Sequence, residues 1–83
     1  MPKVTIGIDR IEAQREKASQ EIRLAIVTGE TMRGCSRSET IRHSGMSQAS
    51  FYKAWKDPSL FRIGQLIAIY EYLRIPETER RFA

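Results

Sequence analysis

An all-α fold is what this chain predicts, a compact bundle of four to five short helices containing a helix-turn-helix, and three observations carry that prediction. Apolar residues recur at helical spacing in residues 22–27, at Phe51 and Trp55, and again across residues 63–73. Ser36 and Ser47 each open a helix-forming stretch, and Gly45 stands between the two where a tight turn is needed. The whole chain is 83 residues, room for one small domain and not for a separate catalytic lobe.

In chain order, residues 3–8 alternate polar and apolar, with Val4, Ile6 and Ile8 on one side. That is strand periodicity, and it predicts a strand-like arm or tail over residues 1–8. Helical pattern starts at Asp9, a suitable N-cap with Glu12 three residues on, as in a capping box. Residues 12–20 are almost wholly polar and should lie on the surface, whereas residues 22–27 do the packing. Gly29 is the expected helix end, and residues 28–34 are either a last turn or a loop. Residues 36–44 make a short polar helix, capped by Ser36, boxed by Glu39 and anchored by Ile41 and Cys35.

Gly45 then takes the positive φ that other residues resist. Ser47 caps a second helix in which Phe51 and Trp55, four apart, point inward with Met46 at the base. Asp57 and Pro58 stop it. Ile63, Leu66, Ile67, Ile69, Tyr70 and Leu73 give a last helix that is apolar over a wide arc, enough to build core and to offer a dimer surface, and Ile75 with Pro76 closes it. The domain therefore spans residues 9–76, followed by a tail over residues 77–83.

The balance of 14 basic and 10 acidic residues gives a net charge of +4, unevenly spread. Residues 36–62 hold Arg37, Arg42, Lys53, Lys56 and Arg62 against Glu39 and Asp57, which is +3 of the +4. Charge concentrated there marks an anion-binding face. It falls on the two motif helices. The outward side of the second helix carries Gln48, Ala49, Ser50, Tyr52, Lys53 and Lys56, side chains that reach base edges and phosphates. Gln48 can donate to N7 and accept from N6 of adenine at once, and Ala49 can touch a thymine methyl.

Catalysis finds little support. No histidine pairs with a nucleophile and a carboxylate, and there is no glycine-rich phosphate loop. Cys35 and His43, the single residues of their types, fall short of the about four ligands of a structural zinc site. The expectation is a non-enzyme with no cofactor, no metal and no small-molecule substrate. A lone cysteine suits a reducing cytoplasm, and no apolar run reaches the ~18–20 residues of a membrane span.

With these residues in view, residues 36–76 resemble the Cro and lambda-repressor type, or Xre-like, helix-turn-helix family. The carriers are the Gly45 turn, the Ser47 cap, the Phe51 and Trp55 pair, the Asp57-Pro58 stop and the apolar last helix. The stretch Gly45-Met-Ser-Gln-Ala-Ser-Phe-Tyr-Lys-Ala-Trp-Lys-Asp-Pro is similar to small regulators of phages and mobile elements. The resemblance implies a cytoplasmic repressor that binds double-stranded DNA as a homodimer. In that reading Gln48, Ala49, Ser50 and Tyr52 read bases, while Arg37, Ser47, Lys53 and Lys56 contact phosphates. The rival expectation is the same fold used as a protein-interaction module, such as an anti-repressor or an assembly factor.

Overall fold

A computed structural model describes the backbone of residues 3–82 and the side chains of residues 10–82. The order of elements is α1 (Lys3–Arg33), α2 (Arg37–Ser44), α3 (Gln48–Lys56), a 3-10 turn (Pro58–Leu60), α4 (Ile63–Tyr72) and a second 3-10 turn (Glu77–Glu79). Among the described residues there is no strand, and the fold is all-α.

The largest departure from expectation is α1. Residues 3–8, read as a strand-like arm, are helical and continuous with the rest, so Asp9 sits inside the helix and is not its cap. A lone strand has no partner for its backbone groups, whereas a helix satisfies them within the segment. Residues 1–2 of the expected arm lie outside the described residues. Gly29 does not end the helix either. It is buried, and a Cβ built on it meets the Leu73 Cβ at 3.0 Å and the Ile75 Cδ1 at 3.2 Å. Glycine is there because the end of α4 approaches closely. The helix stops five residues later at Gly34, with φ +66°: the Cys35 amide donates to the Glu30 carbonyl (3.0 Å) and the Gly34 amide to that of Thr31 (3.4 Å). That is the paired closure of a Schellman end.

The core gathers Ile22 and Ile26 of α1, Ile41 of α2, Phe51 and Ala54 of α3, Phe61, and Leu66, Ile69, Tyr70, Leu73 and Ile75 from α4 onward. Each large side chain so buried contributes roughly 1.5–3 kcal/mol against the entropy of ordering the chain. Met46, Cys35 and Trp55, expected as core or anchors, are half-buried and pack against this cluster. The core takes up only part of the wide apolar arc of α4, and Ile63 and Ile67 remain exposed on it.

The chain after α4 folds back on the core. Arg74 takes φ +54° so that the Ile75 amide reaches the Tyr70 carbonyl (2.9 Å) and its own amide that of Glu71 (3.2 Å). The buried Tyr70 hydroxyl donates to the Arg81 carbonyl, Phe82 meets the Tyr70 ring edge-on, and Arg81 pairs with Glu21 of α1 at 3.3 Å. The stretch named as a tail is thus stitched to α4 and α1.

Candidate nucleic-acid interface

Helix α2, the turn and α3 are built by short-range capping. The Ser36 hydroxyl accepts from the Glu39 amide, and the Ser47 hydroxyl accepts from the Ser50 amide at 3.2 Å. Between them Gly45 has φ +76°. The buried Ser44 hydroxyl donates to the Ile41 carbonyl (2.6 Å) and accepts from the Met46 amide (3.1 Å). A polar residue is tolerated at that inward position because both of its hydrogen-bonding capacities are used by the turn. Thr40, wholly buried, donates its hydroxyl to the Ser36 carbonyl.

Helix α3 is anchored on one side and free on the other. Phe51 is wholly buried, packed edge-on against Phe61 (5.5 Å between ring centres) and stacked beside Trp55 (5.9 Å), while Ala54 closes the gap beneath. The opposite side presents Gln48, Ala49, Ser50, Tyr52, Lys53 and Lys56, all exposed. Tyr52 keeps 40% of its surface open while its ring meets that of Phe51 edge-on, and its hydroxyl lies close enough to the Arg37 guanidinium to help Glu30 raise that group's pKa. Ser47 is exposed at the head of the helix, its oxygen engaged by Ser50 and its hydroxyl hydrogen available to an acceptor. Seven of the eight expected contact residues are thus brought onto one surface.

The eighth is placed differently. Arg37 was expected at the DNA backbone, but its guanidinium forms a two-pronged pair with Glu30 of α1 (2.8 and 2.9 Å) and lies 4.2 Å from the centre of the Trp55 ring. The hydrogen bond to Glu30 outweighs partial burial and raises the Arg37 pKa further. Its charge is spent inside the protein, joining α1, α2 and α3 at one point. A lone positive charge beside the Trp55 ring would be poorly solvated, so the carboxylate of Glu30, itself buried, is its natural counterpart.

A second joint was not foreseen. Arg23, half-buried on α1, donates through Nε to the Trp55 carbonyl (2.8 Å) and through Nη2 to the Lys56 carbonyl (2.9 Å). The last carbonyls of α3 lack helical partners, and a cation at that end is favoured by the helix dipole. The signal lay in sequence only as an arginine one residue from the core position Ile22.

On the far side of α2, His43 stacks on Tyr72 (ring centres 3.8 Å apart), and the Tyr72 hydroxyl donates to Glu39 at 2.8 Å. Cys35 and Glu39 beside it raise the Tyr72 pKa. His43 is therefore a packing partner of α4, and Arg42 is exposed.

No protein-family model matches this chain, and no curated protein and no solved structure is matched by it. Among the described residues no helix is long and apolar enough to cross a membrane.

Proposed function

We propose that this domain is a sequence-specific double-stranded-DNA-binding regulator, acting as a homodimeric repressor of the phage or mobile-element kind, with α3 laid in the major groove. The observation that carries this reading is the division of α3. Phe51 and Ala54 fasten one face to the core, while the other exposes an amide, a methyl, hydroxyls and two lysines in one strip. These groups suit base edges and phosphates, and a face built for a protein partner would be richer in apolar or acidic side chains. Gln48, Ala49, Ser50 and Tyr52 read bases in this reading, and Ser47, Lys53 and Lys56 hold phosphates. Arg37 leaves the contact set and becomes a support for α3. The resemblance of residues 36–76 to Xre-like regulators points the same way.

The test is binding of the purified chain to labelled DNA from upstream of its own gene and to a random duplex of equal length, across a salt series. The expected result is tighter binding to the upstream DNA, with both affinities falling as salt rises. Absence of binding to either duplex at low salt overturns the reading and favours the protein-interaction module.

A further inference from the structure

Along α1 runs a line of residues at strict heptad spacing. Ile11, Ala18, Ala25 and Met32 follow one another every seven residues, interleaved with Gln14, Glu21 and Thr28 at the alternate three- and four-residue steps. In sequence the seven-residue step also reaches back to Val4. The seven-residue apolar step is that of one half of a helix seam, the alternate positions being polar. Most of it is uncovered within the chain. Ile11 is 54% and Met32 82% exposed, Gln14 and Thr28 are exposed, and residues 10–17 are exposed without exception.

At its C-terminal end the seam forms one wall of a groove of about 630 Å³, in which Ala25, Thr28 and Met32 face Leu73, Ile75 and Pro76. At its N-terminal end the same seam projects beyond the domain, which is why the molecule measures 50 Å along its longest axis against 27 and 19 Å across.

We infer that α1 is a dimerisation helix: two copies pair it antiparallel, and the projecting half of each seats in the groove of the other. Three observations favour a second copy as the occupant. One wall of the groove and the apolar line that fills it belong to one helix and share one period, so a two-fold axis satisfies both ends with the same contacts. With Ile11 set against Thr28 of the second copy, Gln14 comes level with Ala25 and Ala18 with Glu21, and the axis passes between Ser19 and Gln20. Glu21, the single charged residue on the seam from Ile11 to Met32 and already paired with Arg81 of its own chain, then also lies within one turn of Arg15 and Lys17 of the second copy.

The lengths agree as well. Residues 21–32 of the receiving helix extend about 17 Å, and so do residues 7–18 of the inserting one, which the register sets against them. Small residues at Ala18 and Ala25 let the backbones approach closely. A projecting helical segment of this length is marginal in water by itself, and the pairing supplies its missing packing.

This surface serves the dimer named in the proposed function, and it is tested without DNA so that self-association and DNA binding are read separately. Sedimentation equilibrium of the full chain should give twice the 9.6 kDa chain mass. Ile11→Asp, on the exposed half where the domain core is untouched, should halve that mass with the thermal transition of the domain retained. Ile63→Lys, on the exposed edge of α4, should leave it unchanged. In a Cys35→Ser background, Ile11→Cys with Thr28→Cys should give a two-chain disulfide on oxidation. A single-chain mass for the unmodified protein at high concentration overturns the inference, as does a mass halved by Ile63→Lys but not by Ile11→Asp. A two-chain disulfide formed by Ile11→Cys alone would mean parallel pairing and overturn the antiparallel register.

Discussion

The guanidinium of Arg37 lies 4.2 Å from the centre of the Trp55 ring, with the Glu30 carboxylate gripping its edge. A cation set over an indole and paired at its rim holds three helices in one relative orientation. Its loss should be a loss of stability before it is a loss of contact with DNA. Glu30→Ala should cost about 2 kcal/mol, less than the ~3–5 of a fully buried pair because the Arg37 side chain keeps 27% of its exposure. Arg37→Ala should cost about as much, and the double variant should cost less than the two single losses together. Denaturant midpoints measure this. For DNA, Arg37→Ala should leave the salt slope of binding unchanged.

Gln48 and Lys53 stand on the same exposed strip and should separate in their effects. Gln48→Ala should narrow the difference between operator and random DNA by about 1–3 kcal/mol. Lys53→Ala should weaken both alike and reduce the salt slope by about one. Equal losses on the two duplexes for Gln48→Ala would remove its base-reading role.

Gly29 makes a contrary case to ordinary helix propensity. In an exposed helix interior glycine to alanine gains about 1 kcal/mol. Here the new methyl meets the Leu73 Cβ at 3.0 Å, an atom fixed to its backbone. Overpacking of this kind costs about 1–3 kcal/mol, so Gly29→Ala should be destabilising by about 1 kcal/mol, or ~4–8 °C in Tm. A higher melting temperature would show that α1 and the end of α4 can move apart.

Arg74 holds φ +54° without being glycine, at the turn that closes α4. Its side chain is exposed, and left-handed backbone costs an ordinary residue about 1–2 kcal/mol. Arg74→Gly should therefore raise stability by about 0.5–1 kcal/mol after the entropy of a freer unfolded chain is subtracted. Thermal melting at constant protein concentration would detect it.

Burial raises the pKa of Tyr70 above its ordinary value near 10. The unfolded chain then releases this proton first, so the folded state binds more protons above about pH 10 and stability falls as pH rises through that range. Below the unfolded pKa the contribution is complete and constant. Tyr72, raised by its Cys35 and Glu39 neighbours, acts in the same direction. Urea midpoints taken from about pH 8 to about pH 11 should decline, and Tyr70→Phe should flatten the decline. An unaltered slope in that variant would assign the alkaline loss elsewhere.

What could be read from sequence was local. The caps at Ser36 and Ser47, the left-handed Gly45 and the inward Phe51 each depend on residues within one or two turns, and each stands where the pattern placed it. What could not be read depends on partners far along the chain. Gly29 signals a stop to any local rule, and only the arrival of Leu73 makes it a contact. Arg37 looks like a free cation until Glu30 and Trp55 are brought beside it, and Arg23 acquires a purpose only when α3 ends within reach. Residues 3–8 misled for a different reason: two-residue alternation in so short a segment is weak evidence, and α1 extends through it.

The bonds from Arg23 to the last two carbonyls of α3 have a mechanical reading. With Arg23 bonded to its last carbonyls and the Glu30–Arg37 pair set over its Trp55 ring, the C-terminal half of α3 is coupled to the long helix. A tilt of α1 by a few degrees at its projecting tip would reappear as the same tilt of the exposed strip at Gln48 and Lys53. Whatever grips the far end of α1 thereby sets the angle at which that strip is presented, with no change in the strip itself.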